Sequence, residues 1–441
     1  MKIIFHFLIT IALVSGIIAA GCYQFFVLSS GSQVKRSVDL LGYSNENSYG
    51  NFVQQIREKF TKSIGNDDYL DYSTRSLYTD AQIQRNSNEL SNTLYGNPHS
   101  ESRSSEAANE LIEDLRISIL EMFNTDLSEY TCVFTQSRLA SLKLIPEAFP
   151  FTDKSSFLYS SSSDADIIGL SSFAAAKKSS IHSFNTNNTL QPLFSKFSRN
   201  SNNIVITPLV DRFDGHIFTE EEITEVLSAK SHGNYTVVLA DATDYLQTNT
   251  LDLSAHQFDG LIFSIDGVVG FPSLGVVIIK NQLIRFMDKP YFGGGTLVYA
   301  LTTQPFEKLR LKPAQRLEDG SLPFLTIAAA VDSIDILKTI GSARLEYVNR
   351  LSEKLYDTFS ELKCVKILGN PSSSILSFEI SSENGVVDYN QVVNDACDNG
   401  FVINSGCNKD GKCAAKVSIG WLSLESDITR FADWINQTYC E

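Results

Sequence analysis

The residues of this 441-residue chain best suited to chemistry are one carboxylate and one pair of thiols. Asp241 closes the run Val237-Val238-Leu239-Ala240-Asp241, so an acid follows directly on a strand that reads as buried. An acid at such a strand end commonly caps a helix or opens a turn. Cys407 and Cys413 stand close enough in sequence to pair, and Cys440 is a candidate partner for a second bond. A reactive thiol at Cys407 is the other reading of that loop. None of these cysteines lies in a CxxC or beside a histidine, so no metal site is expected.

The elements that must position these residues are legible as apolar runs. Tyr130–Phe134, Phe157–Tyr159, Ile204–Ile206, Tyr235–Leu239, Gly260–Ser264 and Gly275–Ile279 are continuous rather than alternating, which suits strands covered on both faces of a mostly parallel sheet. Ser105–Phe123 carries Ala107, Leu111, Ile112, Leu115, Ile119, Leu120 and Phe123 at helical spacing. A helical pattern through Ile327–Val331 continues over Leu345–Leu362 and leads into a strand at Ser374–Ile380. That order predicts a smaller α+β domain. The expected division is a leading segment over 1–28, a linker with a helix over 29–65, a large domain over 66–320 and a small domain over 321–441.

Composition narrows the function classes. With 36 Lys and Arg against 51 Asp and Glu, the formal charge is -15, and no basic cluster is present to neutralise phosphates, which argues against nucleic acid. Ile3 to Gly21 is uncharged and long enough to span a bilayer, which predicts an uncleaved signal anchor, with cleavage near Ala19-Ala20-Gly21 as the alternative. The expected location is therefore the membrane or the secretory pathway, with topology open. Sequons at Asn187, Asn234 and Asn436 would be used only if the body is lumenal or extracellular.

Six stretches lie in an order and spacing that resemble the amino-terminal domain of the molybdenum cofactor sulfurases. They are Tyr69-Leu70-Asp71 with Leu77, Tyr95-Gly96-Asn97-Pro98-His99-Ser100, Leu251 to Gln257, Gly270-Phe271-Pro272, Tyr291 to Thr296 and Gln315 to Gly320. The resemblance covers about residues 66 to 430. It implies the aminotransferase class V fold that sulfurases share with cysteine desulfurases: an α/β large domain on a mostly parallel sheet and a smaller α+β domain, with pyridoxal phosphate between them. It also implies a homodimer. Carried over by motif, Asp241 becomes the carboxylate facing the pyridine nitrogen, Thr135, Asn97 and His256 become cofactor-contacting residues, and Cys407 becomes the sulfur carrier.

The same register exposes departures. Three residues before Gly270-Phe271-Pro272, where the family has its Schiff-base lysine, this chain has Gly267, which offers no amine. Asp164 stands in place of the ring-stacking histidine and would repel a phosphate. Arg138 stands within the former small-residue phosphate cup, Val210 replaces a glutamine, and Lys416 replaces a substrate-binding arginine. The chain also ends at Glu441 without the carboxy-terminal domain of full-length sulfurases. The leading expectation is a pseudoenzyme on this fold. The alternatives are an active pyridoxal phosphate-dependent sulfurtransferase using Cys407, and a membrane-anchored or secreted interaction or ligand-binding module.

Overall fold

A computed structural model describes residues 48–65, 67–185, 189–383, 385–408 and 410–440. The apolar leading segment and the sequon asparagine at 187 lie outside the described residues. Among the described residues, no helix is long and apolar enough to cross a membrane.

Seven strands form the large sheet: β1 (Tyr130–Thr135), β2 (Ser156–Ser160), β3 (Ser180–Phe184), β4 (Asn202–Pro208), β5 (Tyr235–Asp241), β6 (Gly260–Ser264) and β7 (Gly275–Lys280). Their order is β1-β7-β6-β5-β4-β2-β3. The pairs from β6 through β5, β4 and β2 to β3 are parallel, while β7 runs antiparallel to both β6 and β1. The sheet is thus mixed, with one reversed strand in an otherwise parallel array. All six apolar runs are strands, because both faces are buried, with Val237 and Leu239 in the core on one side of the sheet and Val238 and Ala240 buried on the other. The seventh strand, β3, escaped the sequence pattern. It is an edge strand whose Ser180, Ile181, His182 and Ser183 are exposed, so it carries no buried apolar run.

The helices that bear on the site are α1 (Tyr49–Phe60), α2 (Arg103–Met122), α3 (Arg138–Ala148), α4 (Ala165–Gly169), α5 (Ile265–Val269), α6 (Phe324–Ser360) and α7 (Glu425–Ile435). In α2 the buried face uses Ala108 where Ala107 was expected, with Leu111, Ile112, Leu115, Ile119 and Leu120 as read from spacing. Its Arg116 makes two 2.9 Å bonds to the Glu318 carboxylate, which also accepts from the backbone N–H of Phe134. Both charges are buried and each completes the other, so the pair joins α2, β1 and the segment around Glu318. Helix α6 breaks its helical backbone at Gly341, whose φ of 30° lies outside the helical region.

The small domain is an antiparallel sheet of β8 (Val365–Ile367), β9 (Ile375–Ser382), β10 (Asn404–Cys407) and β11 (Cys413–Ser418), in the order β8-β9-β11-β10. The segment before the large sheet packs here as well. Arg57 of α1 bonds Asp427 of α7 at 2.9 Å, and the short strand Asp68–Tyr69 pairs in parallel with Phe401–Val402. A disulfide joins Cys364 to Cys440, and a second joins Cys407 to Cys413.

Candidate functional site

The strand ends of β1, β5 and β6, with the loops after β2 and β4, converge on Asp241. Open α/β sheets place ligand chemistry at this carboxyl edge. Asp241 is 4% exposed. Its Oδ1 accepts from the backbone N–H of Thr243 at 3.1 Å and the Thr243 hydroxyl at 2.7 Å; its Oδ2 accepts from Arg138 Nε at 2.6 Å. Burial alone would push this carboxyl up, yet the Arg138 and Arg212 guanidiniums outweigh it and hold Asp241 below the ordinary carboxylate range.

Arg138 reaches Asp241 because Ser137 caps α3, accepting from the N–H of Ala140 at 3.2 Å, which sets Arg138 at the helix start beside the end of β1. The fork is fully used. Nη2 bonds Asp164 at 2.8 Å and Nη1 bonds Asp166 at 3.0 Å. Asp164 in turn caps α4, taking the N–H of Ile167 at 3.1 Å, and its other oxygen also takes Arg212 at 3.3 Å. Arg212 then bonds Asp244 through Nε at 2.5 Å. Burial alone would lower both guanidiniums, but the carboxylates around them reverse the sign and raise them, chiefly Asp241 and Asp164 for Arg138 and Asp244 for Arg212.

Gly267 lies in α5 with its N–H on the Ser264 cap. A Cβ placed there would meet Thr243 Cγ2 at 2.3 Å and Ser264 Oγ at 2.9 Å. Thr243 cannot easily yield, since its hydroxyl is committed to Asp241. Gly270, which ends α5, has φ +78° and backbone of Leu77 2.3 Å from any Cβ, so that glycine is required by the turn and the close approach together.

The remaining expected residues divide clearly. Thr135, at the end of β1, donates to Ser137 O at 2.9 Å and shares a 2.7 Å contact with Ser141, so it supports the loop that carries Arg138. Lys416 is buried on β11 and donates to the backbone carbonyl of Arg212 at 3.3 Å; burial pushes its amine down, against the pull of Asp71 and Asp244. Val210 is buried and bridges to Ile217. Asn97 accepts from His99 N–H and the Ser321 hydroxyl, and His256 contacts Glu220 at 2.5 Å. Among the described residues, none of the polar contacts of Asn97 or His256 reaches the Asp241 cluster. Cys407 faces Cys413 across the β10–β11 pair with Cα atoms 3.9 Å apart, and its sulfur is bonded there. No group of residues among those described could hold a metal ion.

Thr243, Asp244, Asp166 and Arg212 are members of the cluster that sequence reasoning missed. Thr243 and Asp244 follow Asp241 within three residues, and Arg212 follows Val210 by two. Proximity to a strand end at the carboxyl edge was the signal that could have found them.

Comparison with known proteins places the fold. The family model described as aminotransferase class-V matches residues 68–426. The molybdenum cofactor sulfurase of Solanum lycopersicum is 28% identical over 423 residues, covering 85% of this chain and 52% of that protein. The molybdenum cofactor sulfurase of Homo sapiens is 29% identical over 392 residues, covering 80% and 44%. The chain therefore spans about half the length of these curated relatives. Among solved structures, the cysteine desulfurase of Thermococcus onnurineus NA1 superposes with a TM-score of 0.75 at 17% identity, covering 88% of this chain and 98% of that one. A cystine C-S lyase in complex with cysteine persulfide gives 0.70 at 17% identity, covering 85% and 98%. At such identities the structures establish the fold alone, a large mixed seven-stranded sheet domain with a smaller antiparallel one. The family match spans most of the chain and the fold agrees with it: this protein belongs to the class V aminotransferase family, which normally binds pyridoxal phosphate.

Proposed function

We propose that this chain is a molybdenum cofactor sulfurase-like protein that has lost the catalytic use of pyridoxal phosphate. Gly267 carries the reading. The amine that must hold the cofactor is missing, and the space where its side chain would begin is taken by Thr243. Two further observations support it. Asp241, which would face the ring nitrogen, is already paired with Arg138, and the surrounding carboxylates Asp164, Asp166 and Asp244 would meet a phosphate with like charge. The residues present do not fit the cofactor. An active sulfurtransferase would also need Cys407 as a thiolate, whereas a disulfide to Cys413 removes it. The test supplies pyridoxal phosphate and free cysteine to the full chain and follows alanine formation. The expected outcome is none above a no-protein control, and stoichiometric or catalytic alanine overturns the proposal.

We also propose an oxidising, secretory-pathway location and self-pairing. Two disulfides favour the first, since such bonds are rare in reducing compartments. Asn234 is exposed and available as a sequon asparagine. For self-pairing, the hairpin of Leu297–Ala300 with Glu307–Leu309 and its flanks expose Tyr291, Val298, Tyr299, Phe306 and Leu311, the last by 93%. Apolar side chains so concentrated mark an interaction face, and a second copy of the chain is the proposed occupant.

A further inference from the structure

We infer that Arg138 is a resident substitute for the cofactor: its guanidinium supplies the positive charge that Asp241 needs and, through Asp164 and Arg212, ties the carboxyl edge of the large sheet to the small domain. This rests on the non-catalytic reading above and goes beyond it, because losing a cofactor does not by itself say what holds its site together.

A carboxylate as buried as Asp241 must be protonated or paired. Thr243 supplies hydrogen bonds but no charge; Arg212 adds positive charge without a bond to Asp241, so the direct pairing falls to Arg138, whose Nε lies 2.6 Å from Oδ2. Arg138 cannot turn away cheaply, since its two other nitrogens hold Asp164 and Asp166 at 2.8 and 3.0 Å. A lysine there could not do the same, having one charged nitrogen where the fork has three. The cluster therefore uses one arginine to join three loops of the large domain.

The link to the small domain runs through the loop that carries Arg212. While the Arg212 side chain holds Asp164 and Asp244, its backbone carbonyl accepts Lys416 Nζ from β11 at 3.3 Å. The next two carbonyls do the same: Phe213 O takes the Ser377 hydroxyl of β9 at 2.5 Å, and Asp214 O takes the N–H of Asn370 at 3.1 Å. Three successive carbonyls are thus committed to the small domain. Gly215, at φ +71°, lets the loop pass Ser373, which would sit 2.2 Å from any Cβ. The ion pairs fix the loop on one side and the small domain holds it on the other.

The test is a double-mutant cycle on the full chain with Arg138→Ala, Asp241→Asn and the pair, read by thermal melting. Arg138→Ala is expected to lower the melting temperature by roughly 3–6 °C, because removing one partner of a buried pair strands the other charge. Asp241→Asn made on top of Arg138→Ala is expected to recover part of that loss. Millimolar ethylguanidinium is expected to raise the melting temperature of Arg138→Ala and not of the parent. Should Arg138→Ala fail to fold, Arg138→Gln takes its place in the cycle. Strictly additive losses, or an Arg138 variant that melts with the parent, overturn the substitute role. That failure is separable from failure of the non-catalytic reading. Additive losses without alanine formation from cysteine leave that reading standing, whereas alanine formation by the parent removes it whatever the cycle shows.

Discussion

Arg138 Nε lies 2.6 Å from Asp241 Oδ2, joining the first residue of α3 to the last residue of β5 at the carboxyl edge of the sheet. By the resemblance to the family, a pyridoxal phosphate would be expected at this edge. Here the acid is satisfied from within the chain. The consequences fall on pH response, on attempts to restore the lysine, on the disulfides and on self-association.

The pH response follows from the sign of the Asp241 shift. Its folded value lies below the ordinary 3.8, so the unfolded chain binds the proton more readily. The contribution of Asp241 is therefore fully present above the ordinary value and disappears as pH falls through the folded one. The stability difference between parent and Asp241→Asn, from urea midpoints, is expected to be constant from pH 7 to about 5 and to shrink below about 4. A difference that grows on acidification contradicts this.

Reinstating the lysine alone is expected to fail. Gly267→Lys would force Cβ into Thr243, at a cost of about 1–3 kcal/mol for overpacking. Adding Thr243→Ser removes the colliding Cγ2 and keeps the hydroxyl on Asp241, so it is expected to recover most of that stability. Chemical denaturation of the single and double variants checks this.

Much of the fold was legible because its logic is burial. The runs Val237–Leu239 and Gly275–Ile279 are apolar at every position since both faces of their strands are covered, a pattern set by packing rather than by the chemistry at the sheet edge. The edge strand Ser180–Phe184 was not legible, since an exposed strand leaves no apolar signature. At the site, Asp241 and Gly267 could be found by motif, and Arg138 was visible as an intruder in the phosphate cup. Its partnership with Asp241 was not, because the two are 103 residues apart and only the sheet order brings β1 and β5 to the same edge. Cys407 with Cys413 was readable from nearness in sequence. Cys364, the partner of Cys440, was not, because 76 residues separate the two.

That separation also ranks the disulfides. Closing a 76-residue loop restrains the unfolded chain more than closing one of six, by loop-entropy estimates of about 4 against about 2 kcal/mol. Cys440→Ser is therefore expected to lower the melting temperature further than Cys413→Ser, both measured under non-reducing conditions. Equal losses would show that the small domain keeps its ends together without the long bridge.

Self-association should respond to charge on the exposed hairpin. Tyr299→Asp with Leu311→Asp is expected to convert a dimer to a monomer in light scattering, with circular dichroism unchanged, because neither side chain is buried within one chain. A parent that is monomeric at tens of micromolar removes this interface.

Borohydride trapping measures most directly whether this aminotransferase fold forms a Schiff base with pyridoxal phosphate. The full chain is incubated with excess cofactor, reduced, digested and examined by mass spectrometry for a pyridoxyl-lysine peptide. The expected result is no stoichiometric label on any lysine and no aldimine absorbance band before reduction. A single lysine labelled to stoichiometry, with Lys416 the buried amine nearest the cluster, would contradict it.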